Sequence, residues 1–179
     1  MREFTTQPLT RDRIAQAFPL VQAALPGVSM EDWRAFADAF VSAYPQSASG
    51  ILTVVSEQGY IAGLCTYRIE RDLVHGRALT ADHFMALDLF ERNAVARALA
   101  DRIEALARER HCAAVHTNLV PAGGQLPGVK GRLIRLLQAR DHRIESVRMC
   151  KVLNDDAKRP HPHGPAAATG TAAKPARAG

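Results

Sequence analysis

The sequence predicts an α/β fold in which a mixed, mostly antiparallel sheet contains one central pair of parallel strands. Two β-rich segments, 51–56 and 60–70, are separated by a short polar turn, the pattern of an antiparallel hairpin. Farther along, a strand at 79–90, an amphipathic helix at 93–110 and a strand at 112–119 follow in direct succession. A strand-helix-strand crossover of this kind joins parallel strands with right-handed topology.

The segment before the hairpin predicts one strand and two helices. Residues 2–8 read as a short strand, and 11–25 as a helix that Pro19 is expected to kink. Ser29 and the acidic residues after it form a capping-box pattern that opens a second helix. This helix is expected to carry an aromatic-rich stripe, which we interpret mainly as core: Trp33, Phe36, Ala37, Phe40, Val41 and Tyr44.

The segment after the hairpin predicts a polar loop at 71–78, then the crossover. The crossover helix should bury four residues at helical spacing and carry a Glu104–Arg108 pair on its exposed side. The buried residues are Val95, Leu99, Ile103 and Leu106. A glycine-rich connector, a helix at about 129–140 and a last strand at about 142–153 complete this body.

The length of 179 residues and the composition favour one modest domain followed by a tail. The tail, 154–179, is rich in alanine, proline and glycine, and we expect it to be disordered. It carries four cations and two aspartates, so the net charge of +5 falls to +3 on the body, too weak a bias for a nucleic-acid partner. His161 and His163 flank a proline in this tail, and such a pair alone makes a poor metal site, so no metal is predicted.

The cellular compartment is inferred from the membrane, secretion and cysteine patterns of the sequence. No run approaches the roughly 18 apolar residues that a membrane span needs, and the first residues contain no apolar signal core. The three cysteines, Cys65, Cys112 and Cys150, are widely spaced within apolar stretches, which indicates buried, reduced thiols. A cytoplasmic protein without a membrane partner is therefore expected.

The strand-to-helix junction near residue 92 is the most informative feature. Free N–H groups at a helix N-terminus can hold an anion, often a pyrophosphate. Arg92 and Arg97 flank this junction, where a cation faces the positive end of the helix dipole at a cost of roughly 0.3–1 kcal/mol. A bound anion would make the position of these arginines favourable. Arginines that simply extend into water, however, need no ligand. The sequence alone leaves both interpretations open.

The order of elements over residues 2–153 resembles that of the GNAT superfamily, the acyl-CoA-dependent N-acetyltransferases. The resemblance implies a GNAT-like domain at 1–153 with helices on both faces of the sheet. In that family the fourth strand is followed by a Gln/Arg-x-x-Gly-x-Gly/Ala motif. Here the matching stretch begins with Arg92, but Val95 and Arg97 stand at the two later motif positions.

The resemblance further implies acetyl-CoA as co-substrate. Its pantetheine arm would bind backbone groups at the end of the fourth strand, and its pyrophosphate the start of the next helix. The residues implied are Leu87, Asp88, Leu89, Arg92, Asn93, Ala94, Val95, Ala96 and Arg97. Glycine permits close backbone approach to phosphate; Arg97 could crowd the pyrophosphate or pair with it.

Catalysis requires a base, because a primary amine is mostly protonated at neutral pH, with a pKa near ~10.4. His83 is the first candidate and Asp88 the second, both on the strand where family members commonly place the base. Simple alternation puts His83 on one face with Met85, and Asp82 on the other with Phe84. Leu137 stands where members often carry a tyrosine that can protonate the leaving thiolate, and Asp141-His142 replaces a Gly-Phe ending.

The sequence therefore predicts an N-acetyltransferase that transfers acetyl from acetyl-CoA to an amine of a small molecule or protein. The alternative is a catalytically inactive GNAT-fold protein, a CoA-binding or regulatory module, which the altered motif and missing tyrosine favour. Four residues are candidates for binding the acceptor: Trp33, Tyr67, His116 and Asn118. The exposed final strands could pair two copies into a homodimer.

Overall fold

The computed structural model describes residues 4–41, 48–87, 93–119 and 129–145. The strands are β1 (Phe4–Pro8), β2 (Ser49–Ser56), β3 (Ile61–Asp72), β4 (Gly76–Ala86) and β5 (Ala114–Leu119). The helices are α1 (Ile14–Ala24), entered through a 3₁₀ turn at Arg11–Arg13, α2 (Met30–Val41), α3 (Ala94–Glu109) and α4 (Val129–Gln138).

The five strands form one mixed sheet in sequence order. Neighbours from β1 to β4 pair antiparallel, and β4 pairs with β5 in parallel. The predicted hairpin and the predicted parallel crossover are both confirmed. Because α3 connects the two parallel strands, its N-terminus follows the end of β4, which places it at the same edge of the sheet as the C-terminal end of β5.

Two apolar layers hold helices on both faces of this sheet. The first layer, under α3 and α4, includes Leu79, Phe84, Val95, Leu99, Ile103 and Leu133. The second, under α1 and α2, includes Val21, Trp33, Phe40, Ile51, Leu64 and Met85. The four inward positions predicted for α3 are all buried, so its helical periodicity is confirmed.

The start of α2 confirms the predicted capping box. Asp32 donates its backbone N–H to Ser29 Oγ at 3.1 Å, while the Ser29 hydroxyl donates to Asp32 Oδ2 at 2.6 Å. An aspartate therefore replaces the usual glutamate at the third helical position. Pro19 lies inside α1, which continues through it from Ile14 to Ala24.

The prediction of a polar loop at 71–78 is wrong. β3 continues to Asp72 and β4 already begins at Gly76, so a tight turn of three residues joins them. The residues at the adjoining ends of β3 and β4 are polar and exposed, so the sequence alone predicts a loop there. Gly76 has a φ of +73°, the left-handed conformation that glycine adopts without steric cost.

Several predictions lie wholly or partly outside the described residues. The last strand predicted at 142–153 is one: residues 142–145 are not in a strand, and the rest is not described. The glycine-rich connector and the tail at 154–179 are also outside. Within the described part of the chain, no helix is both long enough and apolar enough to cross a membrane.

The cysteines differ in environment. Cys65 is fully buried in β3, and this burial raises the pKa of its thiol to about 12. Cys112 is half-buried at the start of the segment leading into β5. Both are free thiols, and Cys150 lies outside the described residues.

Candidate active site

A β-bulge in β4 shapes the candidate site. Between Ala81 and Phe84, β4 advances by three residues while β5 advances by two, and β3 shows the same shift opposite this point. His83 is the extra residue, with a φ of +53°. A non-glycine residue in this region carries backbone strain, which folded proteins tend to hold at functional sites.

The bulge brings Asp82 and His83 to the same face of the sheet. Asp82 contacts Asn118 of β5, and His83 contacts Phe36 of α2, whereas Phe84 is buried under α3. The expectation from strict alternation, which put Asp82 with Phe84, is therefore wrong. An inserted residue shifts the alternation by one, so two consecutive polar side chains share one surface.

His83 makes a hydrogen bond with Thr66 and a ring contact with Phe36. Its Nδ1 lies 3.1 Å from Oγ1 of Thr66, and its ring meets that of Phe36 edge-on with centroids 5.3 Å apart. The Thr66 hydroxyl also donates to the backbone carbonyl of Asp82 at 3.2 Å. A hydroxyl has one proton to donate, so a Thr66 that donates to Asp82 accepts from His83 Nδ1–H, and in this tautomer the lone pair of His83 is on Nε2.

Asp82 is linked across the parallel strands to Asn118. The Asn118 amide donates to Asp82 Oδ1 at 2.7 Å. His116 lies two residues before Asn118 on the same face of β5, because successive side chains of a strand alternate between the faces. The structure thus connects His83 and Asn118, both singled out from the sequence, through Thr66 and Asp82. The ring of His116 instead contacts His75 of the β3–β4 turn.

The backbone at the end of β4 points partly toward β5. Leu87 donates its N–H to the carbonyl of Ala62 in β3, so this amide is already engaged. Backbone groups alternate sides along a strand, so those of Ala86 point to the β5 side, beyond the last described pair, Phe84 with Leu119. This corrects the expectation for Leu87. Asp88, Leu89 and Arg92 lie outside the described residues.

The N-terminus of α3 combines a buried inner side with an exposed cation. Val95 and Ala96 are buried against the sheet, whereas Arg97 is exposed. Asn93 precedes the helix with a φ of +65°, and its carbonyl accepts the N–H of Arg97 at 2.9 Å. Ala94 and Ala96 belong to the first turn, where a helix offers N–H groups no partner of its own. No acidic residue lies in this turn.

Two predicted acceptor residues lie away from this cluster. Trp33 is buried in the second apolar layer, and its indole N–H donates to the carbonyl of Ile14 at 2.7 Å. Tyr67 is buried in the first layer, under α3, on the opposite face from Thr66. Neither placement supports a role in binding an acceptor, because packing, and for Trp33 also a hydrogen bond, accounts for the side chain.

The end of α4 combines a buried leucine with a residue in the left-handed conformation. Leu137, at the position of the motif's tyrosine, is buried in the first apolar layer and offers no hydroxyl. Asp141 has a φ of +64°, the left-handed conformation that a glycine would adopt after a helix. His142 N–H then returns to the carbonyl of Leu137 at 3.1 Å, which closes the helix end.

Sequence reasoning missed Thr66 and Ala86. Thr66 sits in a continuous β-rich run without any motif, and its role appears only through the bulge opposite it. Ala86 has no chemistry in its side chain, so its contribution depends on backbone direction alone. The register of β3 against β4 is the one signal that would have identified both residues.

No protein-family model matches this chain, and no curated protein matches it. Solved structures match it closely in fold and weakly in sequence. An aminoglycoside N-acetyltransferase in complex with CoA has a TM-score of 0.63 at 12% identity, over 87% of this chain and 97% of the other. A glucosamine-6-phosphate N-acetyltransferase from Arabidopsis thaliana has a TM-score of 0.63 at 14% identity, over 85% and 99%.

A ribosomal-protein-alanine N-acetyltransferase from Brucella melitensis has a TM-score of 0.62 at 16% identity, over 84% of this chain and 100% of the other. The chain therefore has the fold of these N-acetyltransferases. This confirms the GNAT-like fold that was predicted from the order of the chain's strands and helices. At these identities the likeness establishes the fold.

Proposed function

We propose that this protein is an acyl-CoA-dependent N-acetyltransferase acting on a primary amine. The observation that carries the proposal is the cluster at the β4 bulge, where Thr66, Asp82, His83 and Asn118 converge beside the end of β4. The nearby start of α3 supplies a first turn without acidic residues and with an exposed Arg97. A base and an anion-binding helix end thus flank the same edge of the sheet.

His83 would act as the general base. The acceptor amine must lose a proton before or during attack on the thioester carbonyl, and a neutral imidazole within hydrogen-bond reach can accept it. With Nδ1 bonded to Thr66, Nε2 would be the nitrogen that takes this proton. Asp82, held by Asn118, would attract the ammonium form of the acceptor and orient it.

Acetyl-CoA would supply the acetyl group as a thioester, and the described residues at the end of β4 and start of α3 fit its polar parts. Ala86 directs backbone groups toward the β5 side, where an extended amide chain can bind as an added strand would. The first turn of α3 can bind pyrophosphate through N–H groups, with Arg97 as the charged partner. The side chains of Val95 and Ala96 turn inward and leave the helix end uncovered by their own bulk.

A second candidate is a catalytically inactive CoA-binding module. It is favoured by the burial of Leu137, which places an aliphatic side chain where a proton donor for the thiolate is expected. A solvent molecule can protonate a CoA thiolate, so an active enzyme does not require that tyrosine. The two candidates share the binding site and differ in turnover.

One pair of measurements separates them. Equilibrium titration with CoA tests binding, and release of free thiol from acetyl-CoA in the presence of a panel of primary amines tests transfer. Amine-dependent thiol release supports the enzyme, and binding without amine-dependent release supports the inactive module. Absence of CoA binding up to high micromolar concentration would exclude both.

A further inference from the structure

Four ionisable side chains from three parts of the chain converge beside the β3–β4 turn. His75 belongs to that turn, Asp72 precedes it at the end of β3, His116 lies in β5, and Glu145 follows α4. His75 Nδ1 is 3.3 Å from Asp72 Oδ1 and 3.3 Å from His116 Nε2. His75 Nε2 is 3.3 Å from Glu145 Oε1. We call these residues the His75 cluster.

We propose that the His75 cluster binds a divalent transition-metal ion of the zinc class through Asp72, His75 and His116. One ligand atom from each of these three residues lies within 4.8 Å of the other two. Two nitrogens bound tetrahedrally at about 2.0–2.1 Å from Zn²⁺ are about 3.3–3.4 Å apart. The separation of His75 Nδ1 and His116 Nε2, 3.3 Å, matches this spacing.

Glu145 supplies the outer contact that metal-binding histidines usually have. Its Oε1 lies 3.3 Å from His75 Nε2; in the tautomer that donates Nε2–H to this carboxylate, the lone pair of His75 is on Nδ1, the nitrogen that faces Asp72 and His116. With that tautomer, a carboxylate oxygen and an imidazole lone pair face each other at 3.3 Å. Two electron-pair donors at this distance repel unless a cation or proton lies between them.

The turn geometry fixes Asp72 for this role. Its Oδ1 accepts the backbone N–H groups of Val74 at 2.8 Å and His75 at 2.7 Å, so the carboxylate is held in place by the tight turn. One carboxylate oxygen is thus fixed beside the ring of His75, in the position of a metal ligand.

Three protein ligands leave one position of a tetrahedral site for a ligand from solution. The partial exposure of the site is consistent with such a ligand. The side chains of His75 and His116 are 31% and 27% exposed. A bound ion would join the β3–β4 turn to β5, and through His75 to the segment after α4. The cluster lies beside the proposed acetyl-transfer site, but its ligand chemistry does not depend on that activity.

The test is titration of the full-length, metal-stripped protein with ZnCl₂ by calorimetry, followed by Co²⁺ substitution and absorption spectroscopy. One equivalent should bind, and Co²⁺ should give the intense visible bands of a tetrahedral site. His75→Ala and His116→Ala should each abolish the bands, and Glu145→Gln should weaken binding by about 10–100-fold, as outer contacts usually do. All three side chains are partly exposed, so circular dichroism is expected to report unchanged folding.

The controls address the other histidines. His161→Ala/His163→Ala removes the pair in the tail and should leave binding unchanged, and so should His111→Asn, at an exposed histidine outside the cluster. The proposal fails if the wild type binds no Zn²⁺ at high micromolar concentration. That result is expected if His75 is instead a protonated imidazolium paired with Asp72 and Glu145. It also fails if His75→Ala and His116→Ala bind as well as the wild type. Neither result bears on CoA binding.

Discussion

The side chain of Val95 lies against the backbone of Gly63. A Cβ built at Gly63 would be 2.5 Å from Val95 Cγ1, closer than real side chains approach. Val95, which the resemblance to GNAT proteins aligns with the first glycine of their phosphate motif, is buried and packs the start of α3 against β3.

Gly63→Ala is therefore expected to destabilise the protein. The added methyl would also meet Leu99 Cδ1 at 3.2 Å and the Met85 carbonyl at 3.3 Å, so little space can be gained by rotation of one side chain. Overpacking of this kind costs about 1–3 kcal/mol in the free energy of unfolding. Urea denaturation would measure it.

Two variants make the measurement specific. Gly27→Ala is the matched control, because nothing lies within 4 Å of a Cβ there, and its unfolding free energy should change by less than about 1 kcal/mol. The double variant Gly63→Ala/Val95→Ala relieves the clash. Its loss of unfolding free energy should therefore be smaller than the sum of the losses in the two single variants, by about 0.5–3 kcal/mol. Strict additivity would mean that the two residues do not press on each other.

The sequence predicted the order of elements because hydrophobic period and length distinguish its strands from its helices. The inward face of α3 follows from the spacing of Val95, Leu99 and Ile103 alone. The site was predicted less well, because alternation assumes a regular strand and His83 is an inserted residue. Asp141 shows the same limit: a left-handed residue at a helix end has no clear signal when the residue is not glycine.

Arg97→Ala should weaken CoA binding without altering the fold. Arg97 is exposed at the first turn of α3, where a guanidinium can pair with phosphate, and loss of a charge-assisted bond typically costs about 1.5–3 kcal/mol, or about 10-fold or more in Kd. Calorimetric titration with CoA would measure the change. Arg110→Ala, at the other end of the same helix, should bind as the wild type does. Equal affinities for all three proteins would place the pyrophosphate elsewhere.

His83→Ala should remove the pH dependence that a general base confers. The proposed base works only when its imidazole is neutral, so the wild-type rate should rise as pH increases through the titration of His83. The variant should lose about 10²–10⁴-fold in kcat/KM, together with this rise. Thiol-release assays across pH would show both effects. His111→Asn controls for the loss of an imidazole, since asparagine tolerates the left-handed conformation of His111. A variant that keeps the wild-type profile would exclude His83 as the base.

Thr66→Val tests whether Thr66 positions His83. The change removes the acceptor for Nδ1 and the donor to the Asp82 carbonyl, so kcat should fall while the KM for acetyl-CoA stays unchanged. Thr53→Val is a close control: Thr53 is also buried and donates to a backbone carbonyl, that of Gln7, far from the site. Both variants should lose about 1–3 kcal/mol of stability, as for an unsatisfied buried group. Only Thr66→Val should reduce turnover, and Thr66→Ser should restore it.

Glu104 joins α3 to Arg140, which follows the end of α4, and this pair should make stability depend on pH. Partial burial would raise the pKa of Glu104, but the hydrogen bond and charge of Arg140, with a smaller contribution from Arg108, outweigh it and leave the pKa below its ordinary value. Glu104 Oε1 accepts from Arg140 Nε at 2.8 Å. A carboxyl with a lowered folded pKa stabilises the protein above its unfolded pKa and loses that contribution as pH falls through the folded value.

Glu104→Gln should therefore unfold more easily than the wild type at pH 7, by up to about 1 kcal/mol, since the pairs are partly exposed. The difference should shrink as pH falls below the ordinary glutamate range, because the wild-type carboxyl is then protonated as well. Urea denaturation at a series of pH values would measure it. Glu109→Gln breaks an exposed pair with Arg102 within the same helix and should have a smaller effect, as no second element is held by that pair. A difference between Glu104→Gln and wild type that grew toward acidic pH would contradict the assigned direction of the pKa shift.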